Sequence, residues 1–544
     1  MIRPWQRRTG GVGASPWTSD ELVRAELFSV ERLEHHGESL ARAQPVAGPD
    51  AVGLPVFARV RDNHRLLVSA HHILLRDVNE GRSMTPAGQW LVDNYHVIEA
   101  QVRNICADLS PGFYRQLPKL ATGPFAGYPR VLGIAWAFVA HTDSRFDAEM
   151  LRRFVLAYQR VQPLTIGELW AVAITLRIVL VENLRRVATR VTDNRLQRQE
   201  ADRVANAILR VDGPLERALP AVLETIPPGP LQPTFAVRLV QRLRDQDPQT
   251  TPALLWLDEQ LLDQGTTADA IVQEVHQSQA ATGITVRNVI TSMRMISTVD
   301  WNEWFESVSH VDAMLRDASQ FTQMDFATRN SYRTAIEELA RGSRLSEPDV
   351  TQDLLRTIVT RLRKPGDAKP GRLDDPGYYL IGAGRLAFEA TIGFQPPVRS
   401  WLRRASLQLG LRGYVSGIAI ATLTFAMLAV HGLANRGMGV GGLVLFAVLA
   451  IVPAADLAVA LLNRLITGWF PPAALPALAL QGGVPVELRT LVVVPTLLTR
   501  PDAIAEQIER LEIHHLASSD GEVISKVGVL RQPFSAQRCC KFLP

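Results

Sequence analysis

Between Leu411 and Ile466 the chain carries two long apolar segments separated by a short turn, and from Thr391 to Ala455 it holds no acidic residue. Tyr414–Leu433 and Gly441–Leu462 are each about twenty residues, the length that a hydrocarbon core of roughly 30 Å demands of a helix. The turn Ala434–Gly437 is short, so the two helices must be antiparallel neighbours. The pattern predicts a helical hairpin through a bilayer, occupying 396–470. Gly441, Gly442, Ala447 and Ala450 give the second span small residues suited to close helix packing.

Charge sets the expected orientation. Arg399, Arg403, Arg404 and Arg412 lie at the start of the first span, against Arg436 alone in the turn. Basic residues favour the cytoplasmic side, which puts the preceding domain in the cytoplasm and the turn outside. Arg464, just after the second span, fits a return to the cytoplasm. Asp456 lies in the last two turns of that span, three residues after Pro453. An acid within a membrane is a functional candidate, but near the interface it can also snorkel or pair with Arg464.

Before the hairpin the sequence reads as soluble and helical. Residues 1–84 are mixed: a helix is expected over Ser29–Gln44, whereas Pro55–Arg61 and Leu66–Leu75 suit short strands or helix equally. From Thr85-Pro86, a hydroxyl cap followed by proline in the first turn, the pattern becomes helical. Leu91, Tyr95, Ile98, Val102 and Ile105 recur at steps of three and four. Val131–His141 reads as a buried helix. Thr165 and Glu168 form a capping box ahead of the apolar run Leu169–Leu184.

Arg177 and Glu182 interrupt that run. A charge at a bilayer centre costs about 3 kcal/mol, so the run is expected as the core helix of a soluble bundle. The basic stretch Leu184–Arg190 reads as a solvated helix face. Pro227–Pro230 suggests a subdomain boundary, followed by helices at Thr234–Arg244, Pro252–Gln264, Thr267–Ala281, Ile284–Thr298, Val311–Ala318 and Thr328–Arg341. The expected fold is mainly α, with a helical cytoplasmic domain over 85–395. Beyond the hairpin, Leu491–Val494 reads as a buried strand and Pro501–Leu511 as an amphipathic helix, the opening of an α/β nucleotide-binding unit over 485–523. Residues 524–544 show no periodicity.

Composition excludes several classes. A net charge of +4 over 544 residues does not argue for nucleic acid. Three cysteines make no disulfide framework, since Cys539 and Cys540 are adjacent and Cys106 stands alone. A reducing compartment suits the soluble part, and Met1–Arg8 lacks the apolar core of a signal peptide. Gly382–Ala387 has the dinucleotide-fingerprint form, but the acid required about twenty residues later is absent, so a turn before a helix is the better reading. Asp245 and Asp247 have the Asp-x-Asp form of a metal-binding loop, yet they end a basic helix ahead of Pro248. The pairs His35-His36, His71-His72 and His514-His515 lack the spacing of a zinc site. No nucleophile elbow, phosphate loop, catalytic residue or metal ligand is identified.

Several runs nonetheless resemble the N-terminal region of bacterial cyclic β-1,2-glucan synthases: Trp90–Asn104, Gly112–Leu120, Gly127–Val131, Ala140–Phe146, Arg160–Trp170, Met324–Arg329 and Val493–Leu498. The resemblance implies a multidomain inner-membrane enzyme that builds a linear β-1,2-glucan from UDP-glucose on a primer linked to protein. A divalent metal would serve its glycosyltransferase domain, and a later phosphorylase-like domain would set chain length before cyclisation. It also implies that the transferase domain begins near Leu491, with Val494, Pro495 and Thr496 at the nucleotide. After Asp520–Glu522 the sequence departs from the family pattern, running into Ile524–Val527 and ending at Arg538–Pro544. The expectation is a truncated or frameshifted membrane-anchoring piece that lacks the catalytic site. Its own expected partner is the lipid bilayer, with UDP-glucose and glucan as partners of the full-length family. The alternative is a membrane-anchored helical scaffold without catalysis.

Overall fold

The computed structural model describes residues 16–48, 51, 53–210, 215–226, 229–244, 250–362, 375–469, 476–479 and 501–517. Among these the fold is mainly helical, with isolated β-bridges and no strand. The chain divides into two compact units, Met1–Ala313 and Met314–Pro544.

In the first unit the helix starts follow the local sequence. Ser29 accepts the Arg32 amide ahead of α1 (Val30–Ala43), and α2 (Phe57–Asn79) follows as one continuous helix. The segments Pro55–Arg61 and Leu66–Leu75, which suit strand or helix equally, therefore lie largely on one helix. Val60, Leu67, Ala70 and Leu74 form its buried stripe, a helical period. Thr85 and Ser110 cap α3 (Pro86–Asp93) and α5 (Pro111–Gln116), each with proline in the first turn. Between them, α4 (Tyr95–Asp108) is separated from α3 at Asn94, whose side-chain amide donates to the Trp90 carbonyl. The uninterrupted apolar period across this break does not reveal it.

After α6 (Arg130–His141) and α7 (Ala148–Gln159) comes α8 (Ile166–Leu209), 44 residues long. At 1.5 Å per residue it extends about 66 Å. The capping box of Thr165 and Glu168 is present in full. From Val179 to Ala188 α8 is buried on every face, enclosed by neighbours that include α2, α4 and α6. It is the core helix of a bundle, as its internal charges imply.

The remaining helices of this unit are α9 (Leu215–Leu223), α10 (Pro233–Arg244), α11 (Thr251–Asp263), α12 (Ala268–Thr298) and α13 (Trp301–Val308). Val204 and Ile208 of α8 share one apolar cluster with Leu219, Phe235, Leu257 and Ile271. The cluster crosses Pro227–Pro230, so the helices on either side of that Pro-rich stretch belong to one core. The boundary between the two units instead falls within α14 (His310–Ala318).

In the second unit Asp325 caps α15 (Phe326–Gly342), which packs on α16 (Glu347–Leu362) and α17 (Pro376–Leu380). The Tyr332 hydroxyl donates to Asp375 at 2.7 Å. A Cβ at Gly377 would lie 2.1 Å from that hydroxyl, so the close approach requires glycine. Ahead of the fingerprint-like run Gly382–Ala387 the chain is helical, in α17, and Gly382–Gly384 turn into α18 (Arg385–Thr391). Then come α19 (Val398–Ala434), α20 (Val440–Trp469) and α21 (Pro501–Ala517). Past α20 the chain returns to α15: the Asp325 amide donates to the Ala477 carbonyl at 2.9 Å, and the Ala479 amide to the Gln323 carbonyl at 2.7 Å.

Candidate membrane hairpin

The basic segment before the first apolar span and the span itself form α19, broken at Gly410, where φ is 51° and ψ −136°. Past that break 25 residues, Gly410–Ala434, are apolar enough to cross a membrane, as are the 29 of Val440–Gly468. These correspond to about 37 Å and 43 Å of helix, each exceeding a hydrocarbon core. The two helices pack together along their length. Outside this seam the apolar side chains stand bare, among them Leu423, Met427, Val444, Val448 and Val452. In water such a surface would be a severe cost; in lipid it is solvated.

The seam is lined by small residues. Ala450, Ala454 and Ala458 recur every fourth residue on α20 and are buried against α19, where Thr422 and Ala426 are buried in turn. A Cβ at Gly417 would lie 3.3 Å from the Leu462 side chain. Of the small residues singled out in the sequence, Ala450 lies in the seam and Ala447 is half-buried. Gly441 and Gly442 are exposed, and a Cβ at either would meet no atom of α19 within 4 Å. At the opposite end the Tyr414 hydroxyl donates to Asn463 Oδ1 at 2.9 Å. That bond sets Arg412 of α19 level with Arg464 of α20. Asp456 is exposed on α20, and no ion pair joins it to Arg464 among the described residues. At 1.5 Å per residue Arg464 lies about 12 Å away along the axis.

The helical domain holds a second polar constellation, buried in the first unit. Glu182 on α8 is wholly enclosed. It accepts Arg59 Nε and Asn63 Nδ2 at 2.8 Å, Arg186 Nε at 2.9 Å and Arg185 Nη2 at 3.0 Å. Burial pushes this carboxyl up, but the Arg59 hydrogen bonds and the charges of Arg59, Arg185 and Arg186 outweigh it and hold it below the usual carboxylate range. Arg186 also donates to the carbonyls of Glu21 and Pro16 at 2.6 Å, and Arg185 to Asp20 at 2.7 Å. The segment ahead of α1 is thereby strapped across α8. Arg185 and Arg186 are therefore not part of a solvated face: spaced three and four residues from Glu182, they converge on it. A comparable buried pair joins Arg130 to Glu168, at 2.9 Å from Nε to Oε1.

Among the described residues no three His, Cys, Asp or Glu side chains converge to hold a metal. His36 instead packs 4.6 Å from the His141 ring, and His71 stacks on Tyr95 at 3.9 Å. Asp245, Asp247 and the segment Leu491–Val494, expected as a strand, lie outside the described residues, as do the nucleotide candidates Val494, Pro495 and Thr496. Helix α21 covers the expected Pro501–Leu511.

No family model matches the chain. Over 508 residues, 93% of its length, the chain is 35% identical to the cyclic beta-(1,2)-glucan synthase NdvB of Rhizobium meliloti (strain 1021). It spans 18% of that protein's length. The matched stretch is too long to miss both the helical bundle and the hairpin. Along nearly all of its own length this chain is similar in sequence to a part of a cyclic β-1,2-glucan synthase.

Proposed function

We propose that this chain is the membrane-anchoring portion of a cyclic β-1,2-glucan synthase, holding a helical domain in the cytoplasm through the α19–α20 hairpin. The observation that carries the reading is the pair of long helices whose apolar sides are bare except where they meet, in a chain related to a glucan synthase. The return of residues 476–479 to the start of α15 supports a hairpin with both ends on one side of the bilayer. The arginines at 399, 403, 404, 412 and 464, against Arg436 in the turn, favour the cytoplasm for that side.

In this reading the inner membrane is its location, and the segment from Leu491 opens a transferase domain with Val494, Pro495 and Thr496 beside the nucleotide. UDP-glucose, a divalent metal and the growing glucan are ligands of the complete enzyme. The chain alone does not transfer glucose, because glycosyl transfer needs positioned carboxylates and a metal to stabilise the departing nucleotide. Two measurements on the purified 544-residue chain test this. It is expected to stay with the membrane through alkaline carbonate extraction and to release no UDP from UDP-glucose with Mg²⁺ or Mn²⁺. Extraction into the supernatant would remove the anchor; sustained UDP release would remove the inactivity.

A further inference from the structure

Asp456 is on the wrong side of its helix for the hairpin to satisfy it. Ala454 and Ala458, two residues to either side, are buried in the seam. At about 100° per residue a two-residue step is nearly half a turn, so Asp456 points directly away from α19. Its stripe of α20 comprises Leu449, Val452, Pro453 and Asp456, at steps of three, one and three, and all four are exposed.

Pro453 adds a second acceptor to the same stripe. Lacking an N–H, it leaves the Leu449 carbonyl without its helical partner. A carboxyl and a freed carbonyl thus share one face, one turn or so apart, with no donor between them. The hairpin's own cations are at the wrong depth. Arg412 and Arg464 share one level about 12 Å along the axis from Asp456, and Arg436 is in the turn at the far end. An ionised acid in hydrocarbon requires a charged or hydrogen-bonding partner at its own depth.

Resting on the membrane reading above, we propose that this stripe docks a further transmembrane helix, one that presents a basic hydrogen-bond donor level with Asp456. Charge complementarity selects the occupant. A second copy pairing through the same stripe about a twofold axis would set one carboxylate against another and supply no cation. Bare lipid offers neither a donor nor a cation.

The test uses the full chain in phosphatidylcholine vesicles, labelled with a fluorescent donor through Arg436→Cys in a background where Cys106, Cys539 and Cys540 are serine. The probes are two acceptor-labelled Leu/Ala transmembrane peptides, one with a single Arg about 12 Å inside its cytoplasmic end and one with Leu there. Energy transfer is expected to report association at least about tenfold tighter for the Arg peptide. Asp456→Leu should reduce it to the level of the Leu peptide while the variant still resists carbonate extraction. Equal association of the two peptides, or no effect of Asp456→Leu, would overturn the docking stripe and leave the hairpin standing. Asp456-dependent transfer between two copies of the chain would overturn it in favour of self-association. Loss of the unsubstituted chain from the vesicles on carbonate treatment would sink the membrane reading and the stripe with it.

Discussion

Glu182 shows how much one buried carboxylate can organise. Two helices and the strap ahead of α1 converge on it through Arg59, Asn63, Arg185 and Arg186. Breaking a buried pair by neutralising one partner costs about 3–5 kcal/mol, because the opposite charge is left uncompensated. Glu182→Gln is therefore expected to destabilise the first unit by that order, read as a lowered thermal midpoint at pH 7. The acid dependence follows from the lowered carboxyl. The unfolded chain binds the proton more readily, so this stabilisation is complete above the ordinary carboxylate range and drains away as pH falls below it. The gap between the two midpoints should hold from pH 7 down to about 5 and narrow as pH falls further. The charges on α8 were legible as the mark of a soluble core helix. Their convergence was not, since Arg59 and Asn63 come from a helix more than a hundred residues earlier.

At the scale of elements, the helix starts were the most legible feature, because a cap is a local bargain between one side chain and the next turn. Thr85 and Thr165 both cap helices as their sequences predict. The break at Asn94 and the continuity of α2 were harder to read, since both depend on neighbours distant in sequence. The hairpin's existence was plain from length and polarity, but its seam was only partly so. The glycines at 441 and 442 are exposed, whereas Ala454 and Ala458, also small, are buried in the seam. Replacing Ala458 with Leu inserts bulk where nothing is exposed, and overpacking of this kind costs about 1–3 kcal/mol. A Gly417→Cys/Leu462→Cys pair spans the seam in the native hairpin. Its disulfide yield is expected to fall severalfold when Ala458→Leu is added, and an unchanged yield would show that the alanines do not set the contact.

For the whole molecule, topology is the property most open to direct measurement. The proposed orientation places Arg436 outside and the exposed Cys106 in the cytoplasm. With Cys539 and Cys540 replaced by serine, a membrane-impermeant maleimide should label Arg436→Cys in intact cells and reach Cys106 only after lysis. The reverse pattern would invert the hairpin. The order of elements, many helices ahead of an apolar helical hairpin, could be read from hydropathy and capping. The extent of the two compact units could not, because apolar clusters cross Pro-rich stretches that look like boundaries.

Gly410 carries a mechanical consequence. With φ at 51° it interrupts the hydrogen-bond ladder just where the arginine-rich segment gives way to the span, and a residue with a side chain would strain there. A span of about 37 Å in a thinner hydrocarbon layer has to lean. In the proposed membrane setting a swivel at this glycine would let the lean of the span vary with membrane thickness without turning the segment before it. A bilayer of different lipid composition would then change the tilt of the anchor without levering on the protein it tethers.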